Sequence, residues 1–359
     1  MSVASPVGLA YSEECLRHAI PGHPERPERL IAIRERLERQ GLLGLASSLA
    51  VRSAKEEETL LVHSPALVKR IKQVCASGGG FLNVRTPVCS ESHEAALWAA
   101  GCLLSTVEAV LGGQVRYGFA LTRPPGHHAG PDQARGFCLY NNVALAARYA
   151  QERFGLDRVA ILDWDLHHGN GTQEIFYDSG QVSFLSLHVY GYPFYPRTGA
   201  LHETGSGQGL GHNLNVPLPS GCGDEDYEYI FQTLVRPTLA KWEPRLLLVS
   251  AGFDGHEKDP FHGMRLTSAG FHRLAQLTKA YADAAGIGLV MALEGGYELD
   301  SLSESVSECI RALLGLAPRA RILFRKGVLL QVMAVVERAQ NTFLALRENH
   351  LEPRYRSSH

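Results

Sequence analysis

The chain lacks any Cys-x-x-Cys pair, and its seven cysteines (Cys15, Cys75, Cys89, Cys102, Cys138, Cys222 and Cys309) are scattered. That speaks against a disulfide framework and against a thiolate zinc site. Most of these cysteines read instead as small buried apolar residues. Charge of one sign is also lacking, since 35 Lys and Arg stand against 37 Asp and Glu. Without a basic field, direct nucleic-acid binding is not expected. No continuous apolar run approaches the roughly 20 residues that span a bilayer. The chain does not open with a basic segment followed by an apolar one, so no secretory signal is read and a cytoplasmic location is expected. Internal repeats and low-complexity linkers are missing too. What remains is 359 residues, 45% hydrophobic and 20% charged. That suffices for one large α/β domain or two smaller ones.

Helical patterns alternate with short apolar runs. Helices are expected over 25–42, 92–111, 142–154, 224–239, 267–284 and 299–314. Strands are expected over 117–121, 159–164, 182–187, 246–250 and 288–293. Fully apolar strands alternating with helices imply a parallel sheet covered on both faces. The reading divides the chain into a catalytic domain, 1–318, and a C-terminal portion, 319–359. In the latter, Ile322–Arg347 is apolar and helical, expected to pack on the domain or on a second subunit in a homo-oligomer. The polar tail from Glu352 is expected to fray.

Four strands end in polar chemistry. One gives Arg123-Pro-Pro-Gly-His127-His128, another Asp163-x-Asp165-x-His167, a third Asp254, and a fourth Glu294-Gly-Gly-Tyr297. Parallel strands deliver such ends to one edge of the sheet, where ligands bind in open α/β folds. On an extended strand, Asp163, Asp165 and His167 would face one spot. Each element alone has a plainer explanation: Asp254 as a helix cap, Gly-Gly-Tyr as a turn, the tandem histidines as accident. Together they read as a catalytic metal centre. Asp165, His167 and Asp254 supply three ligands and leave a position open, as catalytic zinc requires. Two carboxylates and an imidazole also suit Fe(II). His127 and His128 are placed for proton transfer, with Asp163 and Asn170 as candidate partners of their far nitrogens. Tyr297 is a candidate donor to a developing oxyanion.

These motifs resemble the histone deacetylase family, which includes acetylpolyamine amidohydrolases and acetoin-utilisation proteins. The likeness covers roughly residues 9–314 and adds His23-Pro-Glu-Arg-Pro-Glu-Arg-Leu30, Gly136-Phe-Cys-Leu-Tyr-Asn-Asn142 and Ser186-Leu-His188. It implies a single arginase-like α/β domain with a parallel sheet of about eight strands and helices on both faces. It implies zinc-dependent hydrolysis of an N-acyl amide, with N-acyl-lysine or a small analogue as substrate and acetylpolyamine as the alternative. By the same resemblance Asp163 and Ser186 belong to an inner potassium site. Phe137 is one wall of the acyl tunnel, and Gly136 lies beside the acyl group. Asn170 stands where class I members carry aspartate, so the chain is more similar to class II.

Three positions depart from the family pattern. Tyr195 stands in the place of a second tunnel phenylalanine. Phe261 lies where polyamine-specific members tend to carry glutamate. Arg85 replaces a common aspartate at the tunnel mouth, which favours neutral or acidic substrates over basic ones. Two rival readings fit the sequence less well. An arginase-type two-manganese enzyme would need an Asp-x-His-x-Asp order, and a non-catalytic acyl-ligand scaffold would be expected to have lost a ligand or Tyr297. The sequence alone does not divide the proton-transfer labour between His127 and His128.

Overall fold

The computed structural model describes residues 5–320 and 327–351. Eight strands form one parallel sheet: β1 (Val7–Ala10), β2 (Ser47–Ser48), β5 (Tyr117–Ala120), β6 (Val159–Asp163), β7 (Val182–Val189), β8 (Asn213–Leu218), β9 (Leu246–Ala251) and β10 (Gly288–Leu293). A small antiparallel hairpin, β3 (Gly79–Asn83) and β4 (Thr86–Cys89), stands apart. The sheet order is β2-β1-β5-β10-β9-β6-β7-β8, all parallel. Strand β9 shows why the arrangement is stable. All six of its residues are buried, with Leu247, Val249 and Ala251 in one apolar cluster and Leu246 and Leu248 in the other. A strand apolar on both sides needs helices on both sides.

The helices start and stop where local chemistry dictates. Asn141 caps Asn142–Phe154 by accepting from the Ala144 N–H, and Gly155 ends it at φ 67°. Thr267 caps Ser268–Ala285 through the Gly270 N–H. These side chains satisfy backbone groups the helix itself leaves unpaired. Most expected elements form within a few residues of their predicted limits. The short strands β1, β2 and β8 and the hairpin were not anticipated. The expected helix over 224–239 contains a π turn at Phe231–Val235 and continues to Trp242. Helix Ser92–Leu111 is, by length and composition, long and apolar enough to cross a membrane. Scattered polar residues hid this from a search for an unbroken apolar run. In the fold, 78% of its most apolar window is buried.

Residues 322–326 and the tail from Glu352 lie outside the described residues. The C-terminal helix is seen from Leu330 to Leu351. It packs on β8 and on the Asp224–Trp242 segment, burying Val332, Val335, Val336, Ala339 and Phe343. Gln340 donates to the Thr233 carbonyl (2.6 Å), and the Phe343 ring meets Trp242 edge-on at 5.9 Å. Ending the chain at Pro318 should therefore lower stability by several kcal/mol, at roughly 1.5 kcal/mol or more per large apolar side chain. Thermal unfolding of the truncated chain checks this; an unchanged Tm would show that the helix is no part of the domain.

A buried ion network ties the N-terminal loop to the site-bearing strands. Arg123, Arg29 and Glu25 are all fully buried. Arg123 donates to Glu25 at 2.6 and 3.0 Å and to the carbonyls of Cys15 (2.7 Å) and His18. Arg29 donates to Glu25 (3.0 Å) and to the carbonyls of Glu294 (2.5 Å) and Gly296 (2.6 Å). Burial raises the Glu25 pKa, but the two arginines outweigh it and bring it down to about 2. A carboxylate depressed by folding contributes stability at neutral pH that is lost as pH falls through the unfolded value toward the folded one. Glu25→Gln should cost about 3–5 kcal/mol at pH 7 by stranding two guanidinium groups. The cost should shrink as pH falls from about 4.5 toward 2, measured by denaturant unfolding across pH.

Candidate active site

Strands β5, β10, β9 and β6 are consecutive in the sheet. Their C-terminal ends carry the His127-His128 loop, Tyr297, Asp254 and the Asp165-x-His167 turn respectively. The four segments that look unrelated in sequence are therefore neighbours in space.

Strand β6 ends at Asp163, one correction to the extended-strand expectation. Asp165 and His167 sit in the turn beyond it, which descends by side-chain caps. Asp163 Oδ1 accepts from the Asp165 N–H (3.1 Å), and Asp165 Oδ1 from the His167 N–H (2.8 Å). Asp163 is outside the clustered ligand group. Its Oδ2 accepts from His127 Nδ1 at 3.0 Å.

Ligand atoms of Asp165, His167 and Asp254 lie within 4.8 Å of one another, with the two aspartates buried and His167 nearly so. His167 Nδ1 is 3.0 Å from Asp254 Oδ2 and 3.2 Å from Asp165 Oδ1. The second oxygens are held by backbone: Asp254 Oδ1 by the Leu166 N–H (3.0 Å), Asp165 Oδ2 by the Gly295 N–H (2.9 Å). A Cβ at Gly252 or Gly295 would overlap these carboxylates, so only glycine lets the backbone close over them. Burial opposes charge on His167, yet its hydrogen bonds to Asp165 and Asp254 raise its pKa to about 10. The pocket thus favours positive charge at this spot. Two carboxylate donors and an imidazole fit a divalent cation with open positions.

The two histidine rings lie 4.0 Å apart between centroids, tilted by 42°, and their environments differ. Burial disfavours charge on His127, but Asp165 and Asp163 outweigh it and raise its pKa to about 10. His128 Nδ1 donates to the Asn170 side-chain oxygen (2.8 Å). Burial, with His127 and His167 beside it, pushes the His128 pKa well below the usual imidazole range. Tyr297 meets Phe261 edge-on at 5.0 Å and Phe137 at 5.9 Å. Burial, Asp254 and Asp165 push its phenol well above its ordinary pKa, so it stays a hydroxyl donor.

A narrow cleft of about 30 Å³ leads to this centre, lined among others by Arg85, His127, His128, Phe137, Tyr195 and Tyr297. Gly136, His167 and Phe261 line it as well. Gly136 and Phe137 are both left-handed, at φ 58° and 70°; a Cβ on Gly136 would overlap His128. Phe137 is held there by the His23 ring, edge-on at 4.5 Å. Ser186 pairs with Asp163 in the β6–β7 register, while its hydroxyl bonds to His188 Nδ1 (2.9 Å).

Several supporting residues had no role assigned from sequence. Glu294 Oε2 accepts from the N–H groups of Gly126 (2.6 Å) and His127 (3.1 Å), fixing the histidine loop. Asp259 Oδ2 accepts from the Tyr297 N–H (2.7 Å). Arg29 lies 5.0 Å from the Tyr297 ring centroid as well as gripping its loop. The signal available was acid and base at Glu25 and Arg29, one helical turn apart, flanked by prolines.

Comparison with known proteins agrees with this geometry. The histone deacetylase domain family matches residues 23–313. Histone deacetylase 10, chloroplastic, of Oryza sativa subsp. japonica is 39% identical over 325 residues, 86% of this chain and 73% of that protein. The polyamine deacetylase HDAC10 of Homo sapiens is 41% identical over 301 residues, 81% of this chain but 44% of that protein. The crystal structure of the HDA15 HD domain superposes with a TM-score of 0.89 at 37% identity, covering 96% of both chains. A parallel eight-stranded α/β sheet with this centre at its crest is the arginase-like deacetylase fold. The chain belongs to the histone deacetylase family and is a hydrolase of amide bonds.

Asp254→Ala should leave two of three donors and an unbalanced Asp165, and any divalent metal that purifies with the wild type should fall well below one per chain. Elemental analysis of the purified variant checks this; full retention of that metal would overturn the ligand assignment.

Proposed function

We propose that the chain removes an acyl group, acetyl first among them, from an acylated amine of the lysine type or a small analogue, with zinc as its metal. The observation that carries this reading is one narrow cleft lined by His127, His128, His167 and Tyr297, with Asp165 and Asp254 clustered on His167. Held by those three ligands, zinc supplies Lewis acidity toward the acyl carbonyl and a water; Fe(II) suits the same donors. Potassium is proposed as an inner structural cation near Asp163 and Ser186.

The side chains then have distinct tasks. Asn170 can only accept through its oxygen, so the His128 proton sits on Nδ1 and Nε2 keeps its lone pair. His128 is thereby set to take the proton of the attacking water and to return it to the leaving amine. His127, donating to the Asp163 carboxylate, holds positive charge beside the developing anion. Tyr297 donates its hydroxyl to the acyl oxygen as negative charge builds there. Phe137 and Tyr195 flank the acyl chain and exclude water.

A polyamine reading draws on the human relative's name, but an acylated polyamine presents a cationic amine. The described residues lining the cleft include Phe261 and no carboxylate to receive one.

Tyr297→Phe keeps the ring contacts and loses one oxyanion donor. Its kcat on an acetyl-lysine peptide should fall about 10²–10³-fold, with unfolding unchanged. Wild-type turnover in that variant would remove Tyr297 from the mechanism.

A further inference from the structure

The cleft mouth carries one fixed charge, and it is positive. Arg85 lies at the tip of the β3–β4 hairpin and lines the cleft. Its guanidinium carbon sits 5.6 Å from the centre of the Tyr195 ring, on the opposite wall of the entrance. The tip is held in place from below. Asn83 Oδ1 accepts from the Arg85 N–H (2.9 Å) and from the Thr86 hydroxyl (3.3 Å). Asn83 Nδ2 donates to the Ala134 carbonyl (3.0 Å), in the segment that leads into Gly136 and Phe137. The arginine is thus tied to the tunnel wall itself.

Its guanidinium makes no hydrogen bond or ion pair with another described residue, in contrast to Arg135 close by. Arg135 is committed to Glu174 and to the His128 carbonyl (2.8 Å). The described residues that line the cleft include no Asp or Glu to neutralise Arg85. A guanidinium without such partners keeps its N–H fork free, the group that grips a carboxylate through two bonds.

The direction of the cleft decides which half of a substrate meets it. The acyl carbonyl belongs at the centre, so the amine half points outward past Phe137 and Tyr195. We propose that Arg85 selects amides whose amine half ends in a carboxylate at the cleft mouth, as in Nε-acyl-lysine taken as the free acid. This rests on the amide-hydrolase reading above and names the substrate class for that same cleft. In such a molecule the carboxyl-bearing carbon stands four methylenes from the scissile nitrogen, a lysine side chain's length. Phosphate esters and basic peptides are not favoured, the first for bulk in a narrow mouth and the second for charge.

The test compares two compounds that differ only at that group: Nα-capped Nε-acetyl-lysine as its carboxylate and as its primary amide. Zinc-loaded full-length protein should prefer the carboxylate about tenfold in kcat/KM at low salt, mainly through KM. The preference should decline toward unity in about 1 M salt, as expected for a rim charge. In Arg85→Gln the ratio should fall to near one, and in Arg85→Glu it should invert; Arg85→Lys should keep part of it. A ratio unchanged by Arg85→Gln, or a wild-type preference for the amide, overturns the proposal while the hydrolase reading stands. Failure of the wild type to turn over either compound, or any N-acyl-lysine peptide, instead overturns the hydrolase reading and this inference with it.

Discussion

Three aspartates are buried at the crest of one sheet, and much of the molecule is arranged to make that tolerable. An isolated carboxylate in such a place would cost several kcal/mol and would take up a proton. Here each has a different remedy. Asp163 receives a histidine N–H, Asp165 receives backbone N–H groups from two loops, and Asp254 receives one backbone N–H and faces an imidazole. The glycines at 252 and 295 exist in this account because the compensating backbone must come within contact of the oxygens. Charge concentrated in this way turns the crest into a cation site.

A second buried cluster does mechanical work. Arg29, held by Glu25, grips carbonyls in the loop that carries Tyr297, while Arg123, held by the same Glu25, grips carbonyls of the N-terminal segment. Together with Asp259 beneath the same backbone, they fix the height of the phenol relative to the ligands. Glu294 does the same for the histidine loop from the other side. The reacting groups are therefore supported by charges that never meet the substrate, which is how a site keeps its geometry to a fraction of an ångström.

The candidate chemistry was largely legible in the sequence, because the proposed ligands, bases and donor sit in short motifs at the ends of apolar strands. The periodicity of Leu246–Ala251 or Val159–Asp163 is strong enough to locate those ends. Support and specificity were less legible. β1, β2 and β8 are short, and β8 has asparagines at alternate positions, so neither length nor apolar pattern marks them. Asp259 and Glu294 act through backbone N–H groups far away in sequence, and nothing local distinguishes them from surface acids; Glu25 has only Arg29, one turn on, as a local sign. The alternation of Asp163, Asp165 and His167 suggested one face, but the strand stops at the first of them and the turn separates their roles. Arg85 drew notice as a departure from the family pattern; its stacking on Tyr195 required the fold.

The order β5-β10-β9-β6 has a kinetic corollary. The ligand Asp165 meets the Gly295 backbone across 130 residues of chain, and His127 meets Glu294 across 167. Contacts of that separation form slowly, after the intervening chain has been gathered in. A cation held by Asp165, His167 and Asp254 would meet its full surroundings only once β6, β9 and the loop after β10 are together, and would add its binding free energy to the native state.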